Sequence, residues 1–109
     1  MNLRISESGL RFRISPREFD TLMSRGALQD IVHLPHGEAI TLAVEVTDAA
    51  AGAGHADPRM FRVSVPRRVL ALAISAGHGK DPIFSVPLAR GEGGVLAIAL
   101  EVDLHARPT

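Results

Sequence analysis

Three arginines lie where the sequence predicts the first turns of two short helices. Arg17 follows one proline, and Arg67 and Arg68 follow another. A positive side chain in a first turn opposes the positive end of the helix dipole, so a negative group is expected nearby. A bound phosphate or carboxylate would supply it, because the first N–H groups of a helix bind anions. Glu18, or a carboxylate elsewhere in the fold, would supply it without a ligand. We therefore predict a candidate anion-binding site at these arginines, with a structural carboxylate as the alternative.

Other charged residues alternate with apolar residues in predicted strands. They are Arg11, Arg13 and Arg62, together with Glu45 and Glu101. Ion pairs across neighbouring strands on the solvated side of a sheet explain all five. An arginine-lined channel for polyanions or triphosphates would need more basic residues and several carboxylates to hold magnesium. The pattern therefore favours cross-strand ion pairs.

Histidines and serines give no catalytic pattern. His33 and His36 lie close enough in sequence to share a cation with His55, His78 or His105, but their spacing matches no recognised metal motif. The serines lack the strand–turn–helix setting of an activated nucleophile. The chain has no cysteine, which excludes thiolate chemistry. We therefore predict no catalytic residue, no metal site and no cofactor, and an enzyme is not favoured.

The elements that position these residues are predicted from alternation, caps and turns. The first half reads as an opening hairpin with strands over 2–6 and 10–14, a helix from Pro16 that Gly26 ends, and a second hairpin with strands over 28–34 and 40–46. Ser15 and Glu18 have the spacing of a capping box, which is the clearest local pattern in the chain.

A segment of small and polar residues, 48–58, predicts a linker, because nothing in it is large enough to pack. The second half then reads as a strand over 61–65, a helix that Pro66 opens and 77–79 closes, and strands near 83–88 and 95–102 joined by a turn at 90–94. Aligned at one offset, the halves match Pro16 with Pro66, Arg17 with Arg67, Phe19 with Val69 and Leu22 with Leu72. The alternative is that any two such segments share this patterning.

These patterns predict one α+β domain over 1–109. It would contain two strand–helix–hairpin repeats, over about 1–47 and 59–104, related by a pseudo-twofold axis. The expected architecture is a small, mostly antiparallel sheet or a closed barrel, with two short helices. Closure of the sheet would remove its exposed strand edges.

The opening residues also resemble a known family. Leu3-Arg4-Ile5 and the strand at 10–15 are similar to the start of a family of small uncharacterised bacterial proteins, which begins Met-Lys-Ile-Arg-Ile and continues with an Ile-Arg-Leu-Arg-Leu-Thr-type strand before a helix. The resemblance resumes at 63–66 and 100–104, and this chain lacks the cysteine and acidic tail of that family. It implies a shared fold and a bacterial origin, and it supplies no activity or catalytic residue. The segment 61–86 has a weaker, topological similarity to bacterial swapped-hairpin transcription factors.

The charge composition makes some classes of binding partner less favoured. Twelve basic residues balance twelve acidic ones, so no summed field attracts nucleic acid or an anionic membrane. The N-terminus lacks the pattern of a signal peptide, and the apolar runs are too short to cross a bilayer. We therefore expect a cytoplasmic protein.

Three functions remain open. The one favoured is a small non-enzymatic module that binds another protein or a second copy of itself. The second is a small-molecule or anion-binding protein that uses the two helix N-termini. The third is a DNA-binding regulator of the swapped-hairpin kind, which the balanced charge disfavours.

Overall fold

The computed structural model describes residues 1–7, 9–76, 82–89 and 95–102. The elements in this part of the chain are β1 (Asn2–Ser6), β2 (Gly9–Ile14), α1 (Pro16–Arg25), β3 (Ala27–His33), β4 (Ala39–Thr47), β5 (Ala53–Asp57), β6 (Met60–Pro66), α2 (Arg67–Ala76), β7 (Phe84–Ala89) and β8 (Val95–Val102). The predicted helix stop at 77–79, the turn at 90–94, and His78 and His105 lie outside the described residues.

The strands form two four-stranded sheets, which we call sheet A and sheet B. The strand order is β1-β2-β8-β7 in sheet A and β3-β4-β6-β5 in sheet B. Each hairpin is antiparallel, and the central pairs, β2 with β8 and β4 with β6, are parallel. The predicted α+β class, the two helices and the mostly antiparallel pairing are confirmed. The single sheet and the closed barrel are wrong for the described strands, because alternation shows which face a strand buries but not which strand it pairs with.

The start of α1 has the predicted caps. The Ser15 hydroxyl accepts a hydrogen bond from the Glu18 N–H at 3.1 Å, and a carboxylate oxygen of Glu18 accepts one from the Ser15 N–H at 3.0 Å. At the other end Gly26 adopts a left-handed conformation, φ 83°, and donates its N–H to the Leu22 carbonyl. The helix therefore begins and ends where its sequence predicts.

The predicted linker over 48–58 is wrong in its second half, where Ala53–Asp57 forms β5 and pairs with β6. A strand needs backbone pairing more than large side chains, and small residues allow a close approach. A Cβ added to Gly54 would lie 2.8 Å from Cδ1 of Ile98, so this strand packs directly against sheet A. The small side chains that suggested a linker are those that the packing of β5 requires.

The second helix begins one residue later than predicted. Pro66 is the last residue of β6, and α2 starts at Arg67. Consequently Leu72, aligned above with buried Leu22, is 66% exposed, whereas Ala73 is buried.

One apolar core lies between the inner faces of the two sheets and the helices. The central strands supply most of it, because their residues alternate between core and solvent. Its members are Leu10, Phe12 and Ile14 of β2, Leu42 and Val44 of β4, Val63 and Val65 of β6, Ile98, Leu100 and Val102 of β8, and Phe19, Leu22 and Leu70 of the helices. Each central strand therefore turns its remaining side chains to the outer face of its sheet.

Candidate functional site

The structure places the predicted helix-start arginines beside protein groups. Arg67 Nε lies 2.9 Å from Oδ1 of Asp48, and Arg68 donates to the carbonyl oxygen of Ala50 at 3.0 Å. Arg17 lies in the first turn of α1, where Glu18 supplies the negative charge. Carboxylates and a carbonyl of the fold thus occupy the role that the sequence left open. Binding of an anion there as well stays a prediction.

Glu18 also contacts the amino terminus. Its Oε2 lies 2.6 Å from the amino group of Met1. The side chain of Met1 is 1% exposed. Partial burial, the largest single influence, raises the pKa of Glu18, but hydrogen bonds from the Met1 amine and from Ser15 together outweigh it. They hold the pKa below its ordinary value of 4.5. Glu18 is therefore charged at neutral pH and fixes both the helix start and β1.

A different cluster lies on the outer face of sheet A. Since the inward residues of β2 are apolar, Arg11 and Arg13 point outward, and the register aligns Arg4 of β1 with Arg11. On the other side of β2, Arg13 is the register partner of Glu101 on β8. We call the surface formed by Arg4, Arg11, Arg13 and Glu101 the arginine face.

Glu101 is the most buried member of this face, with 5% of the residue exposed. Its Oε1 lies 2.6 Å from Arg13 Nε and its Oε2 lies 3.3 Å from Arg11 Nη1. A buried carboxylate needs such partners, because desolvation penalises its charged form. The cross-strand ion pairs predicted for these three residues are confirmed.

Arg4 is not neutralised in this way. Its side chain is exposed and makes no hydrogen bond or ion pair with any of the described residues. Its register partner is Arg11, and like charges directly opposite each other on an antiparallel pair are destabilising. Counted over its four members alone, the arginine face carries three positive charges and one negative charge, an excess of two. This excess is the feature of the site that an external anion would relieve.

Two shallow clefts adjoin at Arg4 and Arg11. The first is lined additionally by Asn2, Leu3, Arg13 and Glu101, so it is mainly polar. The second crosses sheet A over small residues, among them Gly9, Ala97, Ala99 and Ser85. The second cleft is shallow because β2 and β8 approach closely: a Cβ at Gly9 would collide with the Ala97 carbonyl. The two clefts form one groove with a charged end and a small-residue floor.

Sheet B carries a less charged version of this arrangement. Glu45 accepts a hydrogen bond from Ser64 at 2.8 Å and lies 3.6 Å from Arg62, and its side chain is 43% exposed. Beside them His55 Nε2 lies 2.6 Å from Asp57 Oδ2, and this hydrogen bond is the main cause of the lowered pKa of Asp57. No group of three or more His, Asp or Glu residues in the described ranges is arranged to hold a metal ion.

The sequence identified Arg11, Arg13 and Glu101 but missed Arg4 and the His55–Asp57 contact. Arg4 lies in a recognised alternating strand, yet its importance depends on facing Arg11, which only the hairpin register shows. The His55–Asp57 contact lies in β5, which the sequence analysis predicted to be a linker because its residues are small.

No family model matches the chain, and neither a curated protein nor a solved structure matches it significantly. The family resemblance and the similarity to swapped-hairpin regulators therefore stay predictions. Among the described helices, neither has the length and apolar character needed to cross a membrane.

Proposed function

We propose that this protein binds a small anion, or a small molecule with an anionic group, at the arginine face of sheet A. The observation that supports it is the pair of register-matched arginines, Arg4 and Arg11, of which Arg4 has no partner within the described part of the chain. Guanidinium groups match the planar, bidentate geometry of carboxylate and phosphate oxygens. The proposal prefers the second of the functions that the sequence left open, anion binding, and moves its site from the helix starts to the sheet.

Glu101 has a defined part in this proposal. Its carboxylate contacts the guanidinium groups of Arg13 and Arg11 and so restricts both side chains. One carboxylate does not neutralise the three arginines of the face. Ordering the arginines before binding lowers the entropy cost of binding. Two charge-assisted hydrogen bonds in a solvated groove correspond to dissociation constants on the order of 0.1 to 1 mM for a simple anion.

Calorimetric titration with inorganic phosphate at low ionic strength tests the site. Arg4→Gln removes the unpartnered charge, and we expect it to weaken phosphate binding about tenfold, the loss of one charge-assisted contact. Arg67→Gln is the matched control, because it removes an arginine from the helix start. Weakening by Arg67→Gln alone would move the site to the helix N-terminus, and absence of binding by the unsubstituted protein would refute the proposal.

The proposal includes an internal duplication. The bounds of β5 and α2 lie 51 positions after those of β1 and α1, and the two sheets pair their strands in the same pattern. At this offset buried Leu22 corresponds to buried Ala73. His55 then corresponds to Arg4, and Arg62 to Arg11. One anion site per chain is therefore expected, since the second position holds a histidine in place of one of the two arginines.

A second candidate, a protein-interaction module, is favoured by the exposure of β3. This strand is an edge of sheet B, where Ile31 and Val32 are 51% and 43% exposed and Leu34, just after the strand, is 37% exposed. Natural edges are commonly protected by charges or proline, whereas β3 contains one acidic residue, Asp30, and no lysine, arginine or proline. The partner we propose is a second copy, because antiparallel pairing centred on Val32 would place no like charges opposite each other.

Sedimentation velocity over a range of concentrations tests this candidate. Val32→Lys places a charge at the proposed centre, and we expect it to abolish a dimer that the unsubstituted chain forms. Leu72→Lys is the control, because it removes an equally apolar exposed residue from α2. A monomer at all concentrations, or a dimer that Val32→Lys leaves intact, would contradict pairing through β3.

A bacterial, cytoplasmic setting is also part of the proposal. Its support is the family resemblance and the absence of cysteine, which is compatible with a reducing compartment. Fractionation of bacterial cells that express the untagged chain would test the location.

A further inference from the structure

The two ends of the groove on sheet A differ in the side chains that line them. One end contains Arg4, Arg11 and Arg13 with Glu101, and the other contains a floor of small side chains with the Ser85 hydroxyl at its side. An inorganic anion would use the charged end alone. The small-residue floor is the part of the groove that the proposed anion binding does not explain.

Resting on the proposed anion binding, we infer that the ligand is a phosphomonoester with an uncharged cyclic body. Its phosphate would bridge Arg4 and Arg11, and its body would lie over Ala97 and Ala99. A nucleoside monophosphate is an example of this class.

The charge of the groove favours a phosphomonoester over a monocarboxylate. The four members of the arginine face that the structure describes carry an excess of two positive charges, and a phosphomonoester is close to a dianion at neutral pH. The Arg4–Arg11 pair presents two donor groups side by side on neighbouring strands, which suits a tetrahedral group with three terminal oxygens. A single carboxylate would leave one of the two charges uncompensated.

The floor favours a flat, uncharged body. Ala97 is partly buried and Ala99 is 7% exposed, so the surface above them is apolar and low. It cannot deepen, because the backbones of β2 and β8 meet beneath it at Gly9. A flat ring covers such a surface without needing a pocket, and Ser85 can hydrogen-bond to a polar atom at its rim.

Parallel titrations with AMP, inorganic phosphate and adenosine test this inference. We expect AMP to bind about tenfold more tightly than phosphate, the gain from covering roughly 55 Å² of apolar floor. Adenosine alone should not bind measurably. Ala97→Leu should remove the gain and leave phosphate affinity unchanged, while Ala43→Leu, a similar substitution on the outer face of sheet B, should change neither.

The outcomes separate the two proposals. Equal affinities for AMP and phosphate would overturn the inference and leave anion binding intact, whereas binding of neither would refute the proposed function itself. A gain for AMP that Ala97→Leu preserves would also overturn the inference. If Ala97→Leu does not fold, amide NMR shifts of the unsubstituted protein provide the test instead. AMP should shift the amides of Ser85, Ala97 and Ala99, and phosphate should not. Equal shifts with the two ligands would overturn the inference.

Discussion

Replacing Glu101 with glutamine should lower stability and raise anion affinity at the same time. The carboxylate is 5% exposed and contacts two guanidinium groups, at 2.6 and 3.3 Å. Breaking a fully buried pair costs about 3 to 5 kcal/mol. The side chains of Arg13 and Arg11 are 40% and 44% exposed and regain hydration, so we expect a smaller loss, about 1 to 2 kcal/mol.

The affinity should change in the opposite direction, because the charge of Glu101 repels a bound anion, whereas the amide oxygen of glutamine can still accept a hydrogen bond from Arg13 and keep it ordered. A carboxylate about 7 Å from a phosphate, at an effective dielectric constant of about 60, contributes roughly 0.8 kcal/mol of repulsion per unit charge. Because phosphate carries about 1.5 to 2 negative charges at neutral pH, removal of this repulsion should strengthen phosphate binding about tenfold.

Urea denaturation followed by far-UV circular dichroism measures the stability change, since the chain has no Trp or Tyr for fluorescence. With a denaturant slope of about 1 to 1.5 kcal/mol per molar, the midpoint should fall by about 1 M. Glu45→Gln is the control: its carboxylate is 43% exposed and lies 3.6 Å from Arg62, so it should cost less than about 0.5 kcal/mol. Equal midpoints for the Glu101→Gln variant and the unsubstituted protein would refute the burial argument.

Three further predictions concern the fold. Because the pKa of Glu18 is lowered in the folded state, its contribution to stability is complete above pH 4.5 and is lost as pH falls through the pKa of the folded state. Urea midpoints should therefore fall in that pH range, and they should fall less steeply in the Glu18→Gln variant. Gly9→Ala should destabilise the protein far more than Gly26→Ala, because a Cβ at Gly9 meets the β8 backbone. A Cβ at Gly26 meets nothing within 4 Å and costs about 1 kcal/mol of backbone strain. Thermal melts compare the two variants, and equal losses of stability would contradict the close approach of β2 and β8. Phe12→Ala should cost about 3 to 5 kcal/mol, since the ring is fully buried, and a cost under about 1 kcal/mol by urea denaturation would contradict its place in the core.

The sequence predicted local structure better than pairing. The capping box at Ser15 and Glu18 and the left-handed Gly26 depend on neighbouring residues, and both were predicted correctly. The sheet order was not predictable, because β2 pairs with β8 from the other end of the chain and β4 pairs with β6 past the intervening β5.

The candidate site shows the same division. Alternation indicated that Arg11 and Arg13 face solvent, but their assembly with Arg4 and Glu101 depends on two registers, one within a hairpin and one between strands at opposite ends of the chain. The strand β5 was missed for a different reason, since its small residues pack by close backbone approach and leave no hydrophobic alternation.

The most direct test of the account is a phosphate titration of the ¹⁵N-labelled protein followed by amide chemical shifts. We expect saturable shifts at Arg4, Arg11 and Glu101 in the unsubstituted protein, and in the Arg4→Gln variant the shifts at Arg11 and Glu101 should need about tenfold more phosphate to saturate. Saturable shifts confined to Arg17 and Arg67 would contradict the assignment to sheet A and favour the helix starts. Absence of saturable shifts anywhere in the chain would contradict anion binding altogether.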